Sequence, residues 1–339
     1  MSKLSIFALP ALLLPLLAAS AAPLDSRRAE VREFIEEMVR EHDFDRRQVR
    51  ALLQQAETKQ AILDAISRPA ERVAPWHEYR ERFLNEERVR EGVSFRIEHG
   101  ERLASIEDAT LAATVLGILG VETSFGRITG RYRVLDALAT LAFDYAPRAP
   151  FFREELKQFL ILSREENVDP QETLGSYAGA MGAPQFISSS YRRYAVDADG
   201  DGQRDLWGSW DDVIGSVANY LQVHGWRAGE PVTTPAQLDD HDLSRFELSG
   251  LELKETVQSL RDKKVRFETT LPPSAPATLI VAEGRDGPHY RVGFNNFYVV
   301  TRYNRSAMYV MAVHDLGEAI ERSSANRTNA TAGGRNAAR

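Results

Sequence analysis

One carboxylate in this chain stands where the helical pattern calls for an apolar residue. In the segment TLAATVLGILGVETSFG (110–126), Leu111, Val115 and Ile118 recur at i, i+4 and i+7 and mark one helix face. Glu122 follows eleven residues after Leu111, and at about 100° per residue it returns to within about 20° of the same line. A carboxylate therefore continues a buried stripe near a helix C-terminus, with Gly126 as the expected stop. Burial and the negative end of the helix dipole both favour the protonated carboxyl. A general acid that delivers a proton to a leaving oxygen needs that state. The helix alone leaves a duller alternative open, in which Glu122 frays outward or pairs with Arg127 or Arg131.

A second group of oxygen ligands lies at 197–205, DADGDGQRD. Asp197, Asp199, Asp201 and Asp205 occupy positions 1, 3, 5 and 9 of an EF-hand-like loop, and Gly202 takes position 6. Alternating oxygens suit a hard cation with 6–8 ligands, and the glycine permits the sharp turn. Gln203 would supply its backbone carbonyl. Position 12 is Gly208, not a carboxylate, but Asp211 and Asp212 follow closely enough to close an elongated loop. The pattern predicts calcium in a structural role, against the alternative of a solvated acidic turn.

Composition narrows the chemistry further. With no cysteine among 339 residues, disulfides, thiolate metal sites, cysteine nucleophiles and a lipoprotein anchor are all excluded. The formal net charge of −7 argues against gripping nucleic acid or anionic lipid by bulk electrostatics. His224 has no partners spaced for a transition-metal site.

The elements that must carry these residues are mostly helices. Residues 1–21 read as a cleavable export signal: Lys3, an apolar run from Ile6 to Leu17, then Ala19-Ser20-Ala21, with Pro10 and Pro15 favouring cleavage over the alternative of an uncleaved membrane anchor at Leu4–Ala22. Val31, Phe34, Ile35 and Met38 follow helical spacing, and Asp45 is placed to cap a helix through Leu52 and Leu53. Pro69 and Pro75 mark a break before a helical stretch containing Phe83. Leu111–Phe125, Phe151–Arg164 and Ala307–Arg322 read as further helices. Val265–Leu271, Thr278–Ala282, Tyr290–Phe294 and Phe297–Thr301 are short and β-branched or aromatic, and read as strands. The expected fold class is mainly α (α+β), with a small β insertion late in the chain and a disordered tail from 323 to 339.

Four blocks then carry a family resemblance: GVETSFGRITGRYRVLDALATLAFDY (120–145), GSYAGAMGAPQF (175–186), IGSVANYLQVHGW (214–226) and GFNNFYVVTRYNRS (293–306). With the calcium loop between the second and third, the chain resembles the lytic murein transglycosylase B family over most of residues 30–322. The resemblance implies a lysozyme-like helical catalytic core at 109–227 and 293–322. It adds a helical domain at 22–108 and a small β domain at 228–292. It implies Glu122 as the single catalytic acid/base. Ser176 would orient the sugar N-acetyl group, Gln185 would contact substrate, and Tyr220 and Asn304 would flank the acid. It also implies Asp212 as the late calcium carboxylate, beside Asp197, Asp199, Asp201 and Gln203, with no organic cofactor.

The activity so implied is cleavage of peptidoglycan glycan strands in the periplasm, with closure of a 1,6-anhydromuramic acid ring. No nucleic-acid partner is expected, and no stable membrane insertion after the signal is removed. Two alternatives stay open on the sequence: a muramidase that hydrolyses the same bond, and a calcium-stabilised peptidoglycan-binding protein without turnover. Taken singly, Tyr220 reads as helix core and Asn304 as a turn residue.

Overall fold

A computed structural model describes residues 21–67, 74–248 and 250–336 of the chain. The expected export signal, apart from Ala21, lies outside the described residues, as does Pro69.

The N-terminal part is helical because apolar spacing and caps agree. Strand β1 (Ala21–Pro23) leads into α1 (Ala29–His42), which buries Val31, Phe34, Ile35 and Met38. Asp45 starts α2 (Arg46–Gln54), its carboxylate accepting from the backbone N–H of Arg47 and Gln48 at 2.9 Å each. Strand β2 (Glu57–Lys59) pairs antiparallel with β1 and passes into α3 (Gln60–Ile66). Helix α4 (Trp76–Glu81) begins directly after Pro75, and Phe83 falls just beyond its end. Helices α5 (Glu86–Glu98), capped by Asn85, and α6 (Gly100–Ala104) follow.

Helix α7 (Ala109–Thr123) bears Glu122. Asp108 caps its start, accepting from Thr110 N–H at 2.9 Å and Leu111 N–H at 3.3 Å. Its last residue, Thr123, comes three residues before the expected Gly126. Ser124 (φ 52°) and Phe125 (φ 57°) are both left-handed, and their N–H groups donate back to the Gly120 and Leu119 carbonyls at 3.2 and 3.1 Å. This pair of bonds terminates the helix without glycine at the stop position, at a backbone cost of about 1–3 kcal/mol per residue. The cost is offset in part by the buried Ser124 hydroxyl, which donates to Glu91 at 3.1 Å.

Next come β3 (Tyr132–Arg133), α8 (Val134–Asp144), α9 (Ala149–Glu165), β4 (Leu174–Gly175), which pairs with β3, α10 (Ser188–Tyr194) and α11 (Trp210–Val223). The late β region is an antiparallel sheet. Its strands are β5 (Thr233–Leu238), β6 (Glu255–Thr256), β7 (Val265–Phe267), β8 (Pro276–Gly284) and β9 (Gly287–Gly293), in the order β6-β8-β9-β5-β7. With α12 (Val257–Asp262) it buries its own cluster, including Leu238, Val257, Leu260 and Val292. The rest of the apolar interior is one continuous core from Leu24 to Ile320.

Two expectations for the C-terminal region need correction. Phe297–Thr301, read as a strand from its aromatic and β-branched residues, lies in and just after α13 (Asn295–Val300). Tertiary anchoring overrides that propensity: the buried Asn296 amide donates to the Arg227 and Glu230 carbonyls, both at 2.8 Å, and fixes the helix start. The closing helix α14 (Ala307–Asn336) continues past Arg322 through most of the segment expected to be disordered. Its packed first half supplies the costly nucleus, and each further residue then adds a hydrogen bond.

Helices α7 and α14 cross at backbone distance, and this contact positions the site. A Cβ at Gly117 would lie 2.1 Å from the Val313 carbonyl oxygen, and one at Gly317 would lie 2.1 Å from that of Ala113. Only hydrogen fits at either point. Among the described residues, no helix is long and apolar enough to cross a membrane.

Candidate active site

Glu122 sits in the last turn of α7, half-buried. Tyr309, in the first turn of α14, donates its hydroxyl to Glu122 Oε1 at 2.7 Å. Burial first, and the nearby Glu122 next, push the Tyr309 hydroxyl well above the ordinary phenol range. It therefore stays protonated and remains a donor. Arg127, one of the partners considered for Glu122, instead pairs with Glu87 and Glu91. Arg131 lies over the ring of Tyr132.

An aromatic wall extends from this pair. The Tyr303 ring lies parallel to that of Tyr309, 6.5 Å away, and meets Tyr220 edge-on at 4.9 Å. Burial, then Glu122, raise the Tyr303 hydroxyl well above the phenol range too. Tyr303 donates to the Pro184 carbonyl, and Tyr220 donates to that of Arg302 at 2.6 Å. Tyr220 is thus buried, stacked on His224 at 4.2 Å, with its hydroxyl holding the turn that carries Tyr303 and Asn304. Asn304 is half-buried in that turn, five residues before Tyr309.

The loop 175–186 forms the facing part. It folds on itself through bridges from Met181 to Gly175 and to Phe186. Ser176 Oγ accepts from the Ala178 and Ala180 N–H groups at 3.2 and 3.0 Å, which leaves its own hydrogen to be donated elsewhere. Gln185 spends its side-chain N–H groups on the Thr129 and Gly182 carbonyls, at 3.0 and 2.9 Å, and so ties this loop to the exit of α7. Thr123, the neighbour of Glu122, donates to the Ala183 carbonyl at 2.8 Å. The loop is therefore fastened to the helix that carries the acid. Sequence reasoning did not single out Tyr309, Tyr303 or Thr123. Tyr309 lies in the apolar run MYVMAV, whose composition reads simply as core.

In the acidic loop, carboxylate oxygens of Asp197, Asp199 and Asp212 lie within 4.8 Å of one another. Asp201 is not in this group, and its side chain accepts from Gln203 N–H at 2.8 Å. Asp212 is fully buried in the first turn of α11, accepting from Ala198 and Asp205 N–H at 2.7 Å each. Three converging carboxylates repel one another, and an all-oxygen set suits a hard cation. The residues present fit calcium.

Fold and site together define a mainly helical, lysozyme-like protein with one carboxylic acid set against a tyrosine wall. A family model described as "Transglycosylase SLT domain" matches residues 26–318. The chain is 38% identical over 299 residues to membrane-bound lytic murein transglycosylase B of Escherichia coli (strain K12), covering 85% of this chain and 81% of that protein. Three solved structures superpose well. Soluble lytic transglycosylase SltB1 from Pseudomonas aeruginosa is 49% identical, with TM-score 0.81, covering 86% of this chain and 98% of that one. Escherichia coli Slt35 in complex with calcium is 36% identical, with TM-score 0.79, covering 90% and 97%. SltB3 from Pseudomonas aeruginosa in complex with NAG-anhNAM-pentapeptide is 30% identical, with TM-score 0.74, covering 86% and 78%. The chain belongs to the transglycosylase SLT domain family.

Proposed function

We propose that this protein is a lytic transglycosylase that cleaves the β-1,4 bond between N-acetylmuramic acid and N-acetylglucosamine in peptidoglycan. The carrying observation is Glu122 at the end of α7, hydrogen-bonded by Tyr309. Protonated Glu122 gives its proton to the glycosidic oxygen as the bond to C1 of the muramic acid breaks. The acetamide carbonyl of the same sugar then bonds to C1 and takes up the developing positive charge, in place of the second carboxylate most glycosidases use. Ser176, through its free hydrogen, and Asn304 hold that acetamide. Ionised Glu122 next accepts the proton of the muramic 6-hydroxyl as that oxygen attacks C1 and displaces the acetamide. A 1,6-anhydro ring forms and no water is consumed. One residue acts as acid and then base, and the Tyr309 hydrogen bond steadies its ionised form.

Gln185 and Tyr220 act in this scheme by fixing the walls of the groove. Asp197, Asp199 and Asp212 would hold calcium, with Asp201 and the Gln203 carbonyl completing the loop. The ion would neutralise clustered charge and tie the loop to α11. We further propose a helical domain at 22–108, the core at 109–227 and 293–322, and the β domain at 228–292. The site of action is the periplasm, reached through the export signal at 1–21. The binding of NAG-anhNAM-pentapeptide, which carries the anhydro ring, by the similar protein SltB3 supports the anhydro outcome over hydrolysis. Glu122→Gln tests the assignment: release of fragments from peptidoglycan collapses while folding survives, and near wild-type release contradicts it.

A further inference from the structure

A cleft of about 350 Å³ opens between α4, the β8–β9 hairpin and α14, outside the groove described above. Its lining includes Trp76, His77, Arg80, Arg285, His289 and Arg291. Three guanidiniums there face two carboxylates, Glu81 and Asp315, so the cleft carries a net +1 with its histidines neutral. The chain as a whole carries −7. An anion repelled by the rest of the molecule is attracted here.

The charges in the cleft are not equally committed. Arg291 is buried and takes both oxygens of Asp315, at 2.6 and 2.8 Å, while its Nε donates to His289 at 3.1 Å. That pair forms the floor. Arg80 stands 3.6 Å from Asp315, beyond hydrogen-bond reach, and is 47% exposed. Arg285 pairs with Glu81 at 2.7 Å, but both side chains are largely exposed, and such a pair is weakly held. His77 keeps Nδ1 shielded from water with no hydrogen-bond partner among the described residues. The Trp76 ring, stacked on His289 at 6.4 Å, adds an apolar wall.

The cleft also adjoins the catalytic site. Tyr79, the neighbour of Arg80 on α4, is buried and acts electrostatically on Tyr309. Asp315, on the floor of the cleft, follows Tyr309 by six residues on α14, about 9 Å along the helix at about 1.5 Å per residue. A group tethered to a glycan strand beside Tyr309 has that distance to cover.

We infer that this cleft is an accessory subsite for a carboxylate of the peptide borne by the peptidoglycan strand, with Arg80 and Arg285 as its ligands. A bidentate guanidinium–carboxylate contact gives both geometry and charge selection. The inference rests on the reading of the substrate given above, and it makes the two arginines specificity-determining residues, not catalytic ones.

The test compares peptide-bearing glycan strands with strands stripped of peptide by an amidase, using Arg80→Gln, Arg80→Lys and the double variant Arg80→Gln/Arg285→Gln. The double variant raises KM on peptide-bearing strands by about 5–10-fold, as expected for losing charge-assisted contacts. Its kcat, and both constants on stripped strands, stay at wild-type values, and Arg80→Lys recovers part of the loss. Equal effects on both substrates, or none on the peptide-bearing one, overturn the inference. If the wild-type protein cleaves neither substrate, the functional reading fails on its own, and calorimetric titration still decides the cleft. Tighter binding of a disaccharide-pentapeptide than of the bare disaccharide, lost in the double variant, supports the subsite, and equal affinities overturn it.

Discussion

Tyr309 reaches across the crossing of α7 and α14 to donate a 2.7 Å hydrogen bond to Glu122. The two residues are far apart in sequence and meet only because Gly117 and Gly317 let the helix backbones touch. The acid is thus held by a phenol that burial keeps protonated, at a distance set by helix packing.

Removing that hydroxyl isolates its role. Tyr309→Phe keeps the ring in the core and removes one hydrogen bond to a charged group, a contact of about 1.5–3 kcal/mol. We expect kcat to fall about 10–100-fold. A hydrogen bond to the ionised carboxylate favours ionisation, so its loss favours the protonated form. The pH–rate profile should therefore move to higher pH. An unchanged profile and rate contradict the pairing.

The helix crossing predicts a coupled loss. Gly117→Ala drives a methyl group into the Val313 carbonyl, a backbone atom that cannot swing aside. Overpacking of this kind costs about 1–3 kcal/mol. Thermal unfolding should move down by several degrees, and the protein that stays folded should lose rate as Tyr309 draws away from Glu122. A stability loss with full rate would uncouple the crossing from catalysis.

Chelation should act on stability more than on chemistry. With Asp197, Asp199 and Asp212 converging, removing calcium restores their repulsion. At saturating ion the linked stabilisation is about 3 kcal/mol, or roughly 5–10 °C in Tm. Calorimetry with and without chelator checks this. Asp212→Asn should abolish the calcium-dependent shift, and a shift that survives this change places the ion elsewhere.

A buried carboxylate outside the groove predicts a pH-dependent term. Glu155 accepts from the Ser189 N–H and hydroxyl at 2.9 and 2.6 Å and clamps α9 to α10. Burial pushes its carboxyl above the ordinary range despite these bonds. A raised acid contributes fully below its unfolded value, and that contribution is lost as pH rises through the folded value. The stability of Glu155→Gln relative to wild type should therefore improve as pH rises from about 4 towards neutrality. A constant difference across that range contradicts the account.

The helix-face position of Glu122 was legible because a helix repeats: an eleven-residue return from Leu111 puts it in line with an apolar face whatever the tertiary structure. The convergence of Asp197 and Asp199 was legible from loop spacing and that of Asp212 from the family resemblance, while Asp201 stands outside the group of three. Tyr309 was not, because its function appears only when a distant helix meets α7, and within MYVMAV a tyrosine looks like packing. Tyr220 looked like core and is buried, yet its hydroxyl organises the turn beside the acid. The Phe297–Thr301 error has the same origin, since Asn296 anchors that helix through carbonyls some seventy residues away. Strand β5 was missed because Pro235 and polar neighbours hide a strand that exists only through its partners β7 and β9.

The central claim is that Glu122 closes an anhydro ring instead of admitting water. Mass spectrometry of the muropeptides released by the purified protein from isolated sacculi tests it most directly. The account predicts products ending in 1,6-anhydromuramic acid, one water lighter than reducing-end products, and none from Glu122→Gln. Reducing ends from the wild-type protein would contradict it and make the enzyme a muramidase. No release from folded, calcium-loaded protein would contradict it more deeply and leave a protein that binds the wall without cutting it.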